Sequence, residues 1–99
     1  MKMKFEKEIR SDVLSVLNTA FPVGLTMGCI CKTVKKAGWN IDSDDLEVQL
    51  AYLEQKGYIT VNKCGQKEFG TKKNIYTITV KGIDLTEGNI TDTGVGADE

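Results

Sequence analysis

The chain has 99 residues, 40% of them apolar and 27% charged, with 13 basic side chains against 14 acidic. That length supports one domain with a small core, and the composition is that of an ordinary soluble globular protein. It excludes a strongly basic protein, a disulfide framework (three cysteines, an odd number), and a membrane span or apolar signal segment. A cytoplasmic chain is expected.

Taken in order, apolar residues Phe5, Ile9, Val13, Val16, Leu17 and Ala20 recur at helical spacing and predict a first helix over 5–20. Pro22 disfavours helix at Phe21 and ends it. Val23–Leu25 reads as a connector with a single extended bridge. Thr26 is a plausible N-cap for a second helix, and Leu25 with Ile30 fits a hydrophobic staple. Ile30, Val34 and Ala37 form its buried edge. Lys35 and Lys36 fall in its last turn, where cations suit the helix dipole. Gly38 supplies the left-handed position after the helix, and Trp39 is placed to fold back on Val34.

The third helix repeats these signals. Asp42 is the N-cap, Ile41 and Leu46 the staple, and Leu46, Leu50 and Leu53 the core stripe. Gly57 ends it, and Tyr58 packs back on Leu53. Strands are predicted over 58–63, with Ile59 and Val61 on one face, and over 74–80, with Tyr76, Ile78 and Val80 on one face. The segment CGQKEFGTKK between them reads as a long basic hairpin tip. Thr79 caps a short last helix through Leu85 that ends at Gly88. Residues 89–99 are polar and acidic and are expected to be a disordered tail beyond a domain over 1–88.

Three helices followed by a hairpin with an extended tip is the order of a winged helix-turn-helix domain, an α+β fold. The segment LAYLEQKGYITV resembles the end of the recognition helix and first wing strand of MarR-like, PadR-like and ArsR-like regulators. IYTITVKGIDLTEG resembles their second wing strand, with its threonine–x–lysine–glycine exit into a further helix. The whole is also similar to small winged-helix proteins of Mu-like phages and prophages. The resemblance covers roughly residues 9–88. It implies a transcription regulator or phage accessory factor that binds double-stranded DNA. By the same analogy a homodimer is expected, through helix one or the last helix.

In such folds helix three enters the major groove and the wing touches phosphate or the minor groove. With Leu46, Leu50 and Leu53 inward, helical geometry puts Asp44, Val48, Ala51, Tyr52 and Gln55 outward. That face has no lysine or arginine for guanine. Gln55 suits adenine, and Val48 or Ala51 a thymine methyl group. Gln49 lies on the flank, within reach of the DNA backbone. Asp44 and Asp45 also suit the positive end of the helix dipole, which is their structural reading. Charge is segregated along the chain: residues 56–81 hold six lysines and one glutamate. Lys63, Lys67, Lys72 and Lys73, with Phe69 among them, form a cationic flap for phosphate. Lys32, Lys35 and Lys36 extend that surface, unless they are simply a solvated helix end. The rival reading is a protein-interaction module that uses the acidic and apolar face of helix three.

No cofactor, metal or catalytic role is expected. Cys29 and Cys31, two apart on a helix, point about 200° apart and share one metal poorly. There is no histidine, the carboxylates do not converge, and Gly65, Gly70 and Gly82 make no phosphate-binding motif.

Overall fold

A computed structural model of the chain describes residues 6–66 and 71–95; for 63–66 and 71–73 it describes the backbone alone. The elements run α1 (Glu6–Ala20), β1 (Leu25–Thr26), α2 (Met27–Lys36), α3 (Ser43–Gln55), β2 (Ile59–Gln66), β3 (Thr71–Ile78) and α4 (Val80–Thr86).

Each of the last three helices begins on a side-chain cap. Thr26 accepts from the Cys29 amide at 3.4 Å, Asp42 from the Asp45 amide at 2.8 Å, and Thr79 from the Gly82 amide at 3.1 Å. Each bond satisfies an amide that the helix itself leaves unpaired. The ends of α2 and α3 are Schellman motifs. Gly38 and Gly57 take left-handed φ angles of 107° and 85°. The amides of Trp39 and Tyr58 then reach back to the Val34 and Leu53 carbonyls at 3.1 and 3.0 Å.

The core joins Ile9, Val13, Leu14 and Leu17 of α1, Ile30 and Val34 of α2, Ile41, and Leu46, Leu50 and Leu53 of α3. Tyr58, Ile59, Tyr76 and Ile78 close it from the sheet. The expected edge residue Ala37 is exposed, because it is the C-cap and the chain already turns away there. Among the described residues no buried side-chain polar atom lacks a hydrogen-bond partner, as a low-dielectric interior requires.

The sheet has strand order β1-β3-β2, all antiparallel. The expected bridge at Leu25 is a two-residue strand, with Leu25 opposite Tyr76 and Thr26 opposite Ile75. The hairpin ladder is longer than the sequence suggests. It runs from Ile59 opposite Ile78 to Gln66 opposite Thr71, so Lys72 and Lys73, expected in the tip, stand on strands as Lys63 does. Glycine and lysine read as loop by composition, but a ladder needs only backbone groups. Val80, expected in the second strand, instead opens α4 and is 70% exposed.

The Thr79–Gly82 exit is a structural joint. The Thr79 hydroxyl donates to the Gly57 carbonyl at 2.7 Å, and its amide donates to the Tyr58 carbonyl at 2.9 Å. Lys81 Nζ donates to the Lys56 carbonyl at 3.1 Å and lies 5.3 Å from the Tyr58 ring centroid. Gly82 passes so close to α3's end that a Cβ there would meet the Tyr58 carbonyl oxygen at 2.4 Å. Among the described residues no helix is long and apolar enough to cross a membrane.

Candidate nucleic-acid interface

Helix α3 shows solvent the face that its periodicity predicts. Asp44, Val48, Ala51 and Gln55 are exposed, Val48 by 60%. Glu47 and Glu54 are exposed along one flank. Among the described residues no cation lies on this open face. Gln55 stands where the sequence reading placed it.

Two of the expected contacts on α3 are placed differently. Gln49 is 2% exposed, and its Oε1 accepts a hydrogen bond from Arg10 Nε at 2.6 Å. It belongs to the α1–α3 packing and does not reach out to a backbone phosphate. Tyr52 is half-buried on the other flank, with the Arg10 guanidinium 3.6 Å and Lys56 Nζ 5.8 Å from its ring centroid. Both cations favour the negative face of the ring. Sequence reasoning missed Arg10, the one arginine in the chain. A faint signal existed: Arg10 borders the α1 core stripe at Ile9, and Gln49 borders the α3 stripe at Leu50. Two long polar side chains beside packed stripes are natural partners.

The expected helix-two cations Lys32, Lys35 and Lys36 are all exposed. On the wing, Lys63 pairs with Asn74 across the ladder, Cys64 with Lys73, and Gly65 with Lys72. Lys67 and Phe69 lie outside the described residues, as do Phe5 and residues 96–99. Cys29 is exposed and Cys31 half-buried, and both are free thiols. Among the described residues no group of three histidine, cysteine or carboxylate side chains is placed to hold a metal ion.

Residues 89–95, expected as part of a disordered tail, are seated beside α3. After α4 the Asn89 amide donates to the Asp84 carbonyl at 2.8 Å. Asp92 then accepts from the Tyr58 hydroxyl at 2.5 Å and from the Gly94 amide at 2.8 Å, and pairs with Lys56 Nζ at 3.3 Å. Arg10 donates to the Gly94 carbonyl at 3.0 Å. Val95 packs on the core. A polar, glycine-containing segment thus makes polar contacts to Arg10 of α1, to Lys56 at the end of α3 and to Tyr58 just before β2. Burial first, then the hydrogen bond and charge of Asp92, push the Tyr58 phenol up from its ordinary 10.0 to about 12. The Tyr58 hydrogen bond, then the Gly94 amide and Lys56, hold the Asp92 carboxyl below its usual range.

No family model matches the chain, and no curated protein matches it. A solved structure does. The crystal structure of a PadR family transcription regulator from hypervirulent Clostridium difficile superposes with a TM-score of 0.69. The match is 20% identical and covers 82% of this chain and 81% of that one. Three helices, a three-stranded antiparallel sheet whose β2–β3 hairpin is the wing, and a fourth helix give this chain the PadR-like winged-helix fold.

Proposed function

We propose that this protein binds double-stranded DNA as a small winged-helix transcription regulator or accessory factor of phage or bacterial origin, with the wing as its main contact. The observation that carries the reading is the hairpin. Its ladder extends past Lys63, Lys72 and Lys73, and Lys67 follows in the sequence of its tip. A cationic ribbon of this kind suits phosphate, which every sequence presents. Exposed Lys32, Lys35 and Lys36 on α2 add charge of the same sign. Gln55 and Val48 supply what base reading α3 offers. Cytoplasmic location, a homodimer through α1 or α4, and the absence of catalysis belong to the same proposal. The fold's likeness to a transcription regulator supports it by analogy.

Fluorescence anisotropy on a random-sequence duplex tests it. Four neutralised phosphates imply a loss of affinity on the order of a hundredfold between 50 and 200 mM salt. Changing Lys63, Lys67, Lys72 and Lys73 together to alanine should abolish that binding. No binding by the parent chain at low salt would sink the reading.

A second reading is favoured by one specific observation: Asp44, Glu47 and Glu54 surround an exposed Val48 and Ala51 on α3. That face suits a protein partner with a basic, partly apolar surface. The charge reversal Asp44→Lys with Glu47→Lys distinguishes the two. It strengthens DNA binding if α3 approaches phosphate. It leaves DNA binding unchanged and abolishes partner association if the second reading holds.

A further inference from the structure

Helix α3 does not lack a cation; it has one that is already occupied. Lys56 is the C-cap of α3 and lies on the same flank as Tyr52. It is neither in the wing nor on the open face. Its ammonium is paired with Asp92 at 3.3 Å, and the same carboxylate accepts the Tyr58 hydroxyl. The Asp92 carboxylate is thus held by a lysine and a phenol, donors of the kind that bind a phosphate oxygen. Beside it Arg10 is bound to the Gly94 carbonyl while stacked over Tyr52. Lys56 at the end of α3 and Arg10 on α1 thus both contact residues 92–94.

We propose that residues 89–95 are an intramolecular competitor of DNA, with Asp92 standing in for a backbone phosphate at Lys56 and Tyr58. When the segment leaves, Lys56 becomes a phosphate contact of α3, and Arg10 and Tyr52 are uncovered next to it. This deepens the DNA-binding reading and rests on it. The contacts are suited to a reversible seat. The segment is held by charged and polar bonds around Asp92 and Gly94, which phosphate and salt can replace. Its main apolar contribution is Val95. The shape is also specific: a Cβ on Gly94 would meet the Tyr52 hydroxyl at 2.0 Å and its Cζ at 3.1 Å. A larger residue there is incompatible with the seat as long as Tyr52 stays under Arg10.

The test uses the full chain and a release that leaves the net charge and both proposed phosphate donors, Lys56 and Tyr58, unchanged: Gly94→Val. Anisotropy on a random-sequence duplex is compared with that of the parent, of Asp92→Asn, and of each release variant carrying Lys56→Ala. Circular dichroism confirms that the helices are retained. The charge-neutral variant should bind about tenfold tighter at low salt, with the log–log salt slope steeper by about 0.9, the value of one phosphate. Adding Lys56→Ala should remove the gain, while Lys56→Ala in the parent changes affinity less than twofold. Equal binding by parent and charge-neutral variant overturns the inference and leaves the DNA reading standing. A gain confined to Asp92→Asn, which reports net charge alone, also overturns it. No binding by any form overturns both.

Discussion

Replacing Gly82 by alanine adds one methyl group, and the structure gives the consequence a sign and a size. The new Cβ would lie 2.4 Å from the Tyr58 carbonyl oxygen and 2.7 Å from Ile78 Cγ1. The carbonyl is backbone and already accepts from the Thr79 amide, so it cannot retreat without opening the joint between α3 and α4. Alanine favours a helix over glycine by roughly 0.5–1 kcal/mol. Overpacking costs about 1–3 kcal/mol, and a clash against backbone belongs at or above the top of that range. The net loss is about 2 kcal/mol. For a chain of this size that lowers Tm by about 10 °C, read by far-ultraviolet circular dichroism on heating. Gly28→Ala is the internal control. Nothing lies within 4 Å of the Cβ it would add, so only the helix preference remains and Tm should rise by about 3 °C. If Gly82→Ala melts together with the parent, the close approach of α4 to Tyr58 does not exist as described.

Other outcomes follow from the same contacts. Tyr58 is held as a neutral phenol, with its folded pKa raised to about 12 from 10.0. Its contribution to stability is therefore complete below pH 10 and disappears as pH rises through about 12. Urea titrations over that range should show the loss, and Tyr58→Phe should flatten it. Asp92 has the opposite dependence: its folded pKa is depressed below 3.8. Its contribution is present above that value and is lost as pH falls through the folded one, so the 89–95 segment should detach in acid. The shift of the Gly94 amide resonance reports this. Arg10→Ala leaves the Gln49 amide buried without its partner and should lower stability by about 1–3 kcal/mol in chemical denaturation. Leu50→Ala, 1% exposed in the core, should cost about 2–5 kcal/mol in the same assay.

What could be read from the sequence is what local chemistry determines. The caps at Thr26, Asp42 and Thr79 and the glycines after α2 and α3 act within a few residues, so their spacing alone announces them. The Leu46–Leu50–Leu53 stripe and the open face of α3 follow from helical period. The misplaced residues depend on partners far along the chain. Gln49 is buried because Arg10, 39 positions earlier, reaches it. Residues 89–95 are polar enough to read as disordered. Their contacts are with Tyr58, Lys56 and Arg10, which no local pattern connects with this segment. The hairpin exceeds its sequence signal for another reason: strand pairing past Lys63 uses backbone groups that side-chain composition does not reveal. Val80 shows the converse, a β-branched residue that the Thr79 cap recruits into a helix against its usual preference.

The strand order has a consequence for handling the protein. Strand β1 meets β3 only at Tyr76 and Ile75, so among the described residues the outer half of β3 and the far side of β2 carry unpaired backbone donors and acceptors. Such ribbons readily accept a strand from another molecule, and lysine is a common residue that prevents it. The wing lysines therefore bear on solubility as well as on the proposed DNA contact. Stripping all four to alanine invites edge-to-edge association, which would mimic a loss of binding by removing protein from solution. Glutamine in their place keeps the edge polar while removing the charge, and is the cleaner substitution against which the alanine result should be read.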